Sequence, residues 1–350
     1  MTNERRRPVR LVAAALAVGL AAAACGGSDD GGGGGAAAGG GELSGEIAIS
    51  GSSTVEPIST LVAQKFSSEN PGVAISVDGP GTGDGFELFC NGEIDVSDAS
   101  RAIEPEEAAA CKDAGIDYVE LKVGIDGITV LTSPENDEVA CLDFHDLYAL
   151  LGPESEGFES WSDANGLAEQ VGAGNAPYPD LPLDVTAPGE ESGTYDSFAE
   201  LVLEEIAYEE RGVEEDDPVI RPDYQASAND NVILQGIEGS PSSLGWVGFA
   251  YFEQAGDTVE AIEIDGGDGC VAPTTETIAD GSYPIARELF VYVNSAKADE
   301  SPALAAFVDY YLSEPGLASV AEAGYVDLPE EELQASVDAW SSMETGTREG

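Results

Sequence analysis

Basic side chains are scarce in this 350-residue chain, which has 13 Lys and Arg against 68 Asp and Glu and a formal net charge of −55. The electrostatic field of so many negative charges repels the phosphate backbone of a nucleic acid, so we expect no nucleic acid among the partners. The single histidine, His145, leaves no second imidazole for a zinc site, and nothing in the sequence places it near a nucleophile. We therefore expect His145 to be a surface or cap residue. We also expect that the protein is not an enzyme and that it needs no metal or other cofactor.

Long hydrophobic runs are equally few. The stretch Leu11–Ala24 follows four arginines and is too short for a normal transmembrane helix, so residues 1–24 are predicted to be a signal peptide. It ends in Ala22-Ala23-Ala24-Cys25, which resembles a bacterial lipobox with alanine in place of the usual leucine. We expect a lipid (palmitate) on Cys25 and a flexible tether over residues 25–45, on the extracytoplasmic face of a bacterial membrane. Cleavage without lipidation is the alternative.

Three turns rich in Gly, Ser and Thr each stand between a predicted strand and a predicted helix. A helix N-terminus carries unpaired N–H groups and a positive dipole end, so it attracts anions. Each turn alone is typical of an ordinary N-cap. Together they predict a site for a small oxyanion. The turns are Gly51-Ser52-Ser53-Thr54-Val55, Gly79-Pro80-Gly81-Thr82-Gly83 and Ser192-Gly193-Thr194.

A fourth segment, Asp95-Val96-Ser97-Asp98-Ala99-Ser100-Arg101, adds a cation to this set. An arginine that directly follows a predicted strand is notable in a chain with so few basic residues. Its guanidinium presents a planar fork of donors that matches an oxyanion. Arg101 is therefore the candidate positive charge of the site.

These segments resemble the phosphate-binding protein of the phosphate ABC transporter, a periplasmic-type substrate-binding protein. The resemblance runs from about residue 46 to about residue 327 and implies an α/β fold of two lobes (type II-like), joined by two crossing strands, with phosphate between them. The matching stretches are GSSTV, GPGTGDGF, CNGEIDVSDASRAI, APGEESGTYDSF, NVILQGIEGSPSSLGWVGFAYF and SYPIARELFVYV.

The resemblance also implies which residues bind phosphate. Many members of the family carry an arginine four residues before the Ser-Gly-Thr turn and an aspartate where Arg101 stands. Here Pro188 holds the first position, so the chain resembles the subgroup with the cation at Arg101. The implied binding residues are Ser52, Ser53, Thr54, Val55, Thr82, Gly83 and Arg101 from lobe one, and Ser192, Gly193 and Thr194 from lobe two.

Discrimination against sulfate requires a carboxylate that accepts the proton of phosphate, because sulfate carries none. The candidates are Asp84 in the second turn, and Glu191 or Glu190 beside the third. Glu191 could instead pair with Arg101 when the lobes close. Acidic residues also favour helix N-termini for electrostatic reasons alone, so a capping role is the alternative for each of them.

Four cysteines follow Cys25, an even number that suits disulfides in an oxidising compartment. Three pairings are possible. Proximity in sequence and the family resemblance both favour Cys90 with Cys111, which leaves Cys141 with Cys270. The first bridge would constrain the segment that presents Arg101.

The predicted boundaries follow the crossing strands. Lobe one comprises residues 46–122 and 287–350, and lobe two comprises residues 123–286. The first crossing strand runs from Tyr118 to Val130 and the return strand from Ile285 to Val293. We also expect a short amphipathic helix over residues 142–151, a loop over residues 153–180, and helices at 302–312 and 330–343 that pack on lobe one. Trp161, Trp246 and Trp340 are expected in the core.

The sequence therefore predicts a monomeric lipoprotein that captures inorganic phosphate by lobe closure and delivers it to the permease subunits of an ABC transporter. Three alternatives remain. The ligand could be another tetrahedral oxyanion, such as sulfate, molybdate or arsenate. The scaffold could carry an extracellular phosphatase, or a sensory or adhesion protein without transport.

Overall fold

The computed structural model describes residues 43–190, 192–214 and 217–348. The predicted signal peptide, Cys25 and nearly all of the tether lie outside these ranges, and so does Glu191. Within them, none of the helices has the length and apolar character needed to cross a membrane.

Strands and helices alternate along most of the chain. The strands are β1 (Gly45–Gly51), β2 (Val73–Asp78), β3 (Val96–Ala99), β4 (Tyr118–Thr132), β5 (Cys141–Asp143), β6 (Asp184–Ala187), β7 (Gln225–Ala226), β8 (Ser243–Gly248), β9 (Glu260–Ala261), β10 (Glu263–Asp265), β11 (Cys270–Val271) and β12 (Ala286–Asn294). The α-helices are α1 (Glu56–Glu69), α2 (Thr82–Cys90), α3 (Pro105–Ala114), α4 (Phe144–Leu151), α5 (Asn165–Val171), α6 (Gly193–Phe198), α7 (Asp230–Glu238), α8 (Phe249–Ala255), α9 (Thr275–Ala279), α10 (Ser295–Glu300), α11 (Pro302–Tyr311), α12 (Glu314–Glu322) and α13 (Glu330–Ser342). Short 3₁₀ turns cover Pro153–Ser155, Trp161–Ala164 and Gly256–Thr258, and π-helical turns cover Ala199–Leu203 and Ile206–Glu210.

Two long antiparallel strands connect the halves of the main sheet, whose order is β2-β1-β3-β12-β4-β8-β6-β7, with β9 also beside β4. Over Tyr118–Gly127, β4 pairs with β12, and over Ile128–Leu131 it pairs with β8 instead. The outer strands on both sides run parallel to their neighbours, so helices must connect them. Strands β4 and β12 are therefore the two crossing strands that the sequence predicted.

Each half of the sheet has its own hydrophobic core. In the first, Ile47 and Ile49 alternate inward from β1, and Val62 and Phe66 from α1 pack with them at helical spacing. Trp340 on α13 belongs to the same cluster, as expected for the C-terminal helices. The second core surrounds the far half of β4. There Trp246 stacks on Phe198 with ring centroids 4.2 Å apart. Trp161 is fully buried in that core as well.

Two expectations in the second half are corrected. Residues 153–180 are not all loop, because Leu167, Ala168 and Val171 form a buried stripe at helical spacing that supports α5. Helix α4 is not amphipathic, since every residue from Asp146 to Leu151 is buried. A helix that is packed on both sides has an almost continuous apolar sequence rather than an apolar stripe along one face.

Both predicted disulfides are present. Cys90 and Cys111 join α2 to α3 with their Cα atoms 4.2 Å apart, and Cys141 and Cys270 join β5 to β11 with Cα atoms 6.0 Å apart. His145 lies in the first turn of α4, where Asp143 is the N-cap, and its Nε2 is 3.2 Å from a carboxylate oxygen of Glu210. It is a partly exposed histidine near a helix N-terminus, as expected.

Candidate functional site

A cleft of about 590 Å³ lies where the N-terminal ends of α1, α2 and α6 approach one another. The crossing strand β12 contributes Arg287 to it. The first half of the molecule lines it with Ser52, Ser53, Thr54, residues 79–83, Ser100 and Arg101, and the second with Tyr195, Asp196, Ala199, Glu200, Glu204, Tyr208 and residues 217–219.

The first turn depends on Gly51, the last residue of β1. Gly51 has φ +144°, and a Cβ there would lie 2.0 Å from the carbonyl oxygen of Asp98, so only glycine fits. The Ser52 N–H donates to that same carbonyl at 2.9 Å. The Ser52 hydroxyl accepts from the N–H groups of Thr54 (3.1 Å) and Val55 (3.4 Å), which tightens the turn before α1. Val55 is fully buried and does not line the cleft.

The second turn is tied to the segment that carries Arg101. The Gly81 N–H donates to the carbonyl of Gly51 at 2.8 Å, and α2 begins at the next residue. The Thr82 hydroxyl is 3.0 Å from the Ser100 hydroxyl and accepts from the Ser100 N–H at 3.2 Å. Thr82 and Gly83 thus place the first turn of a nine-residue helix against the cleft, where its N–H groups have no carbonyl within the helix.

The third turn meets the first one directly. Ser192 caps α6 by accepting from the Thr194 N–H at 3.2 Å. A Cβ on Gly193 would lie only 3.0 Å from the Ser53 carbonyl oxygen and 3.1 Å from the Thr54 Cα. Ser192, Gly193 and Thr194 therefore lie behind this contact and do not line the cleft.

The next residues of α6 face the cleft and bond across it. Asp196 accepts from the Ser53 hydroxyl at 2.8 Å, and the Ser197 and Thr54 hydroxyls lie 3.0 Å apart. The two halves of the molecule thus already contact one another between the Ser53–Thr54 turn and α6.

Arg101 reaches the cleft but its guanidinium is occupied. Both terminal nitrogens donate to the carboxylate of Glu107 at 2.9 Å, and Nε is 3.6 Å from Glu104. Burial alone would raise the pKa of Glu107, but the bonds from Arg101 and from the Glu104 N–H outweigh that effect and lower it. Glu107 therefore stays ionised and compensates the charge of Arg101.

Arg287 is a second cation, which the sequence reasoning did not select. It stands on β12 directly opposite Asp126 of β4, and its side chain is only 8% exposed. Its Nη2 donates to Ser197 Oγ at 2.6 Å and to Thr54 Oγ1 at 3.2 Å, and its Nη1 donates to Glu200 at 2.6 Å. Because basic residues are scarce throughout the chain, an arginine inside the apolar stretch SYPIARELFVYV is as notable as Arg101.

The predicted acceptor carboxylates do not lie in this cleft. Asp84 is exposed and absent from the lining, Glu190 is exposed as well, and Glu191 lies outside the described residues. Four other carboxylates line the cleft: Asp196, Glu200, Glu204 and Asp217. Partial burial, with repulsion from Glu200 and Asp196, raises the pKa of Glu204.

Comparison with known proteins places this architecture in a family. A family model described as a PBP superfamily domain matches residues 36–315. Protein SphX of Synechocystis is 37% identical over 308 residues, which cover 87% of this chain and 85% of that protein. The phosphate-binding protein PstS of Staphylococcus haemolyticus is 34% identical over 292 residues, which cover 83% of each. The crystal structure of a possible phosphate binding protein from Planctomyces limnophilus superposes with a TM-score of 0.76 at 36% identity, covering 86% of this chain and 99% of that one.

This chain belongs to the family of phosphate ABC transporter substrate-binding proteins. The resemblance drawn from its turns is confirmed at the level of family and fold. The groups that line the cleft are those expected for a member of this family: helix N-termini, hydroxyl groups, arginine and carboxylates. Ser100, Asp196 and Arg287 line it without having been selected from the sequence.

Proposed function

We propose that this protein is an extracytoplasmic receptor that captures inorganic phosphate between two lobes and delivers it to an ABC permease. The lobes are residues 46–122 with 287–350, and residues 123–286. The observation that carries the proposal is the contact of the Ser53–Thr54 turn with Asp196 and Ser197, beside a cleft that both halves of the molecule line. A ligand that bonds to both sides favours the closed arrangement and so shifts the population toward it.

Donors for the phosphate oxygens come mainly from the first half of the molecule. The proposed set is the hydroxyls of Ser52, Ser53 and Thr54, the first-turn N–H groups at Thr82 and Gly83, and an arginine. In a closed cleft these groups act at low effective dielectric and dominate over distant charges. The net charge of −55 is compatible with anion binding because surface carboxylates are screened beyond about 8 Å at physiological salt.

A carboxylate in the cleft provides selectivity in this proposal. Phosphate near neutral pH still carries a proton that it can donate to the carboxylate. Sulfate carries no such proton, so it leaves the acceptor unpaired and is repelled by its negative charge once the cleft is closed. Asp196 is the best placed acceptor, because it lines the cleft and already takes a hydrogen bond from the Ser53 hydroxyl at 2.8 Å. Asp196, and not Asp84, is therefore the proposed acceptor of the phosphate proton.

The membrane anchor is a separate part of the proposal. A lipid on Cys25 would tether a monomeric receptor beside the permease, and the Gly-rich segment after it would give the receptor reach. Radiolabelled palmitate should label the wild-type protein in its native host and not the Cys25→Ser variant. Labelling that is equal in both would contradict the anchor and leave phosphate binding untouched.

The ligand assignment is tested by equilibrium dialysis of the mature protein with radiolabelled phosphate and unlabelled competitors. Arsenate, which is also protonated, should compete, whereas sulfate and molybdate should not compete at about a hundredfold excess. Equal competition by sulfate would contradict an acceptor carboxylate. Failure to retain phosphate at all would contradict the proposed function.

A further inference from the structure

Arg287 differs in position from Arg101, the other arginine that lines the cleft. It lies on a crossing strand, between the halves of the molecule, in register with Asp126 on the other crossing strand. Its hydroxyl partners come from both halves: Thr54 precedes α1, and Ser197 lies in α6. A ligand held by Arg287 is therefore held at the point where the two halves meet.

The charge of Arg287 is less completely matched than that of Arg101. The nearest Asp126 oxygen is 3.7 Å from Nε, beyond hydrogen-bond distance, and the buried Nε makes no hydrogen bond within the described residues. By contrast, Glu107 holds Arg101 through two bonds of 2.9 Å. Within the described residues, Glu200 is the one carboxylate that hydrogen-bonds to Arg287, so this buried cation favours a negative group at that position.

The carboxylate closest to Arg287 belongs to Glu200, whose long side chain is partly exposed to solvent. Glu200 accepts from Nη1 at 2.6 Å, yet its side chain is 44% exposed. One carboxylate oxygen of Glu200 accepts from Nη1, a position that an oxygen of a ligand oxyanion can take instead. Because Glu200 can extend into water, it can leave this position at low cost.

We propose that Arg287 is the cationic anchor for the ligand oxyanion, and that the ligand takes the place of Glu200 on the Arg287 guanidinium. Arg101 then shapes the wall of the cleft through its pair with Glu107. The inference rests on the proposed function, since it assigns a role within the same phosphate site.

Calorimetric titration with inorganic phosphate tests this inference in the mature chain and four variants. Arg287→Lys keeps a positive charge opposite Asp126 but loses the fork, and Arg101→Lys is the matched control. The double variant Asp126→Asn/Arg287→Met removes both buried charges together, a change that buried ion pairs often tolerate. Glu200→Gln keeps the size of the side chain and removes the competing charge. Thermal unfolding without phosphate checks that each variant is folded.

The expected results separate binding from folding. Arg287→Lys, or the double variant if the lysine variant does not fold, should weaken phosphate binding about tenfold or more, while Arg101→Lys stays within about threefold of wild type. Glu200→Gln should bind phosphate more tightly than wild type, because phosphate no longer has to displace a charged carboxylate from Arg287. A loss of less than tenfold at Arg287, or an unchanged or weaker affinity in Glu200→Gln, overturns the inference. No binding by the wild type would instead overturn the proposed function.

Discussion

At the scale of single residues, the buried carboxylate of Asp98 links the stability of the protein to pH. Asp98 is fully buried beneath the first turn, and burial raises its pKa from 3.8 to about 8, opposed by the hydrogen bond from Ser59. Its second carboxylate oxygen has no partner within the described residues. Asp98 is therefore neutral in the folded protein at neutral pH, and its ionisation is linked to stability.

Replacing Asp98 with asparagine should remove a pH-dependent loss of stability. Between about pH 4 and the folded pKa of about 8, the folded state holds a proton that the unfolded state has lost. The contribution of Asp98 to the free energy of unfolding therefore falls as the pH rises, by up to about 1.4 kcal/mol per pH unit, and levels off above pH 8. Urea unfolding from about pH 5 to about pH 9 measures it. Parallel pH profiles for wild type and Asp98→Asn would contradict this assignment.

Replacing Asp196 with asparagine should reduce the preference for phosphate over sulfate. The amide no longer repels a fully ionised anion and no longer acts only as an acceptor, so the ratio of the two affinities should fall by about tenfold or more. Asp84→Asn is the matched control, because Asp84 is an exposed aspartate like Asp196 but does not line the cleft. Competition binding with both anions provides the measurement, and an equal effect of the two substitutions would argue against Asp196 as the acceptor.

At the scale of elements, the strands and turns could be predicted from the sequence better than the residues that line the cleft. The short apolar runs before Gly51 and Gly79 predicted β1 and β2, because β-strands and glycine turns leave local signals. Helix α5 was missed because Gly, Pro and Asn dominate the surrounding sequence. The cleft carboxylate at Asp196 was missed for another reason: its role depends on contact with Ser53, a residue 143 positions away.

The two disulfides differ in the length of chain that they close, so they should contribute unequally to stability. Cys90 and Cys111 are separated by 21 positions, and Cys141 and Cys270 by 129. In the chain-entropy description, replacing the first pair with alanine costs about 3 kcal/mol and replacing the second costs about 5 kcal/mol. Chemical denaturation of the two double variants measures this. A larger loss for the first pair would show that native contacts around α2 and α3, rather than loop length, decide its contribution.

At the scale of the whole molecule, the fold followed from a set of motifs in a fixed order, and the extreme acidity had no part in it. Family and architecture are confirmed. The turns leave local signals in the sequence, whereas the two crossing strands were implied by the family resemblance. Arg287 lies within a stretch that matches the family, but its position opposite Asp126 comes from the pairing of β12 with β4, which no local pattern in the sequence specifies.

The net charge of −55 should make phosphate capture faster in salt. The acidic surface repels an approaching anion over a Debye length of about 30 Å at about 0.01 M salt but only about 3 Å at about 1 M. The association rate should therefore rise severalfold across that range, while the dissociation rate, governed by bonds inside the cleft, changes much less. Stopped-flow measurements with phosphate separate the two rates. An association rate that falls with salt would mean that the cleft itself attracts the anion over long range.

The crystal structure of the mature protein with phosphate tests the central claim most directly. We expect phosphate in the cleft, with oxygens within about 3.2 Å of donors in the Ser53–Thr54 turn, in the first turn of α2 and on Arg287, and with Asp196 facing a protonated oxygen. Phosphate bound away from this cleft, or a cleft that stays unoccupied at saturating phosphate, would contradict it.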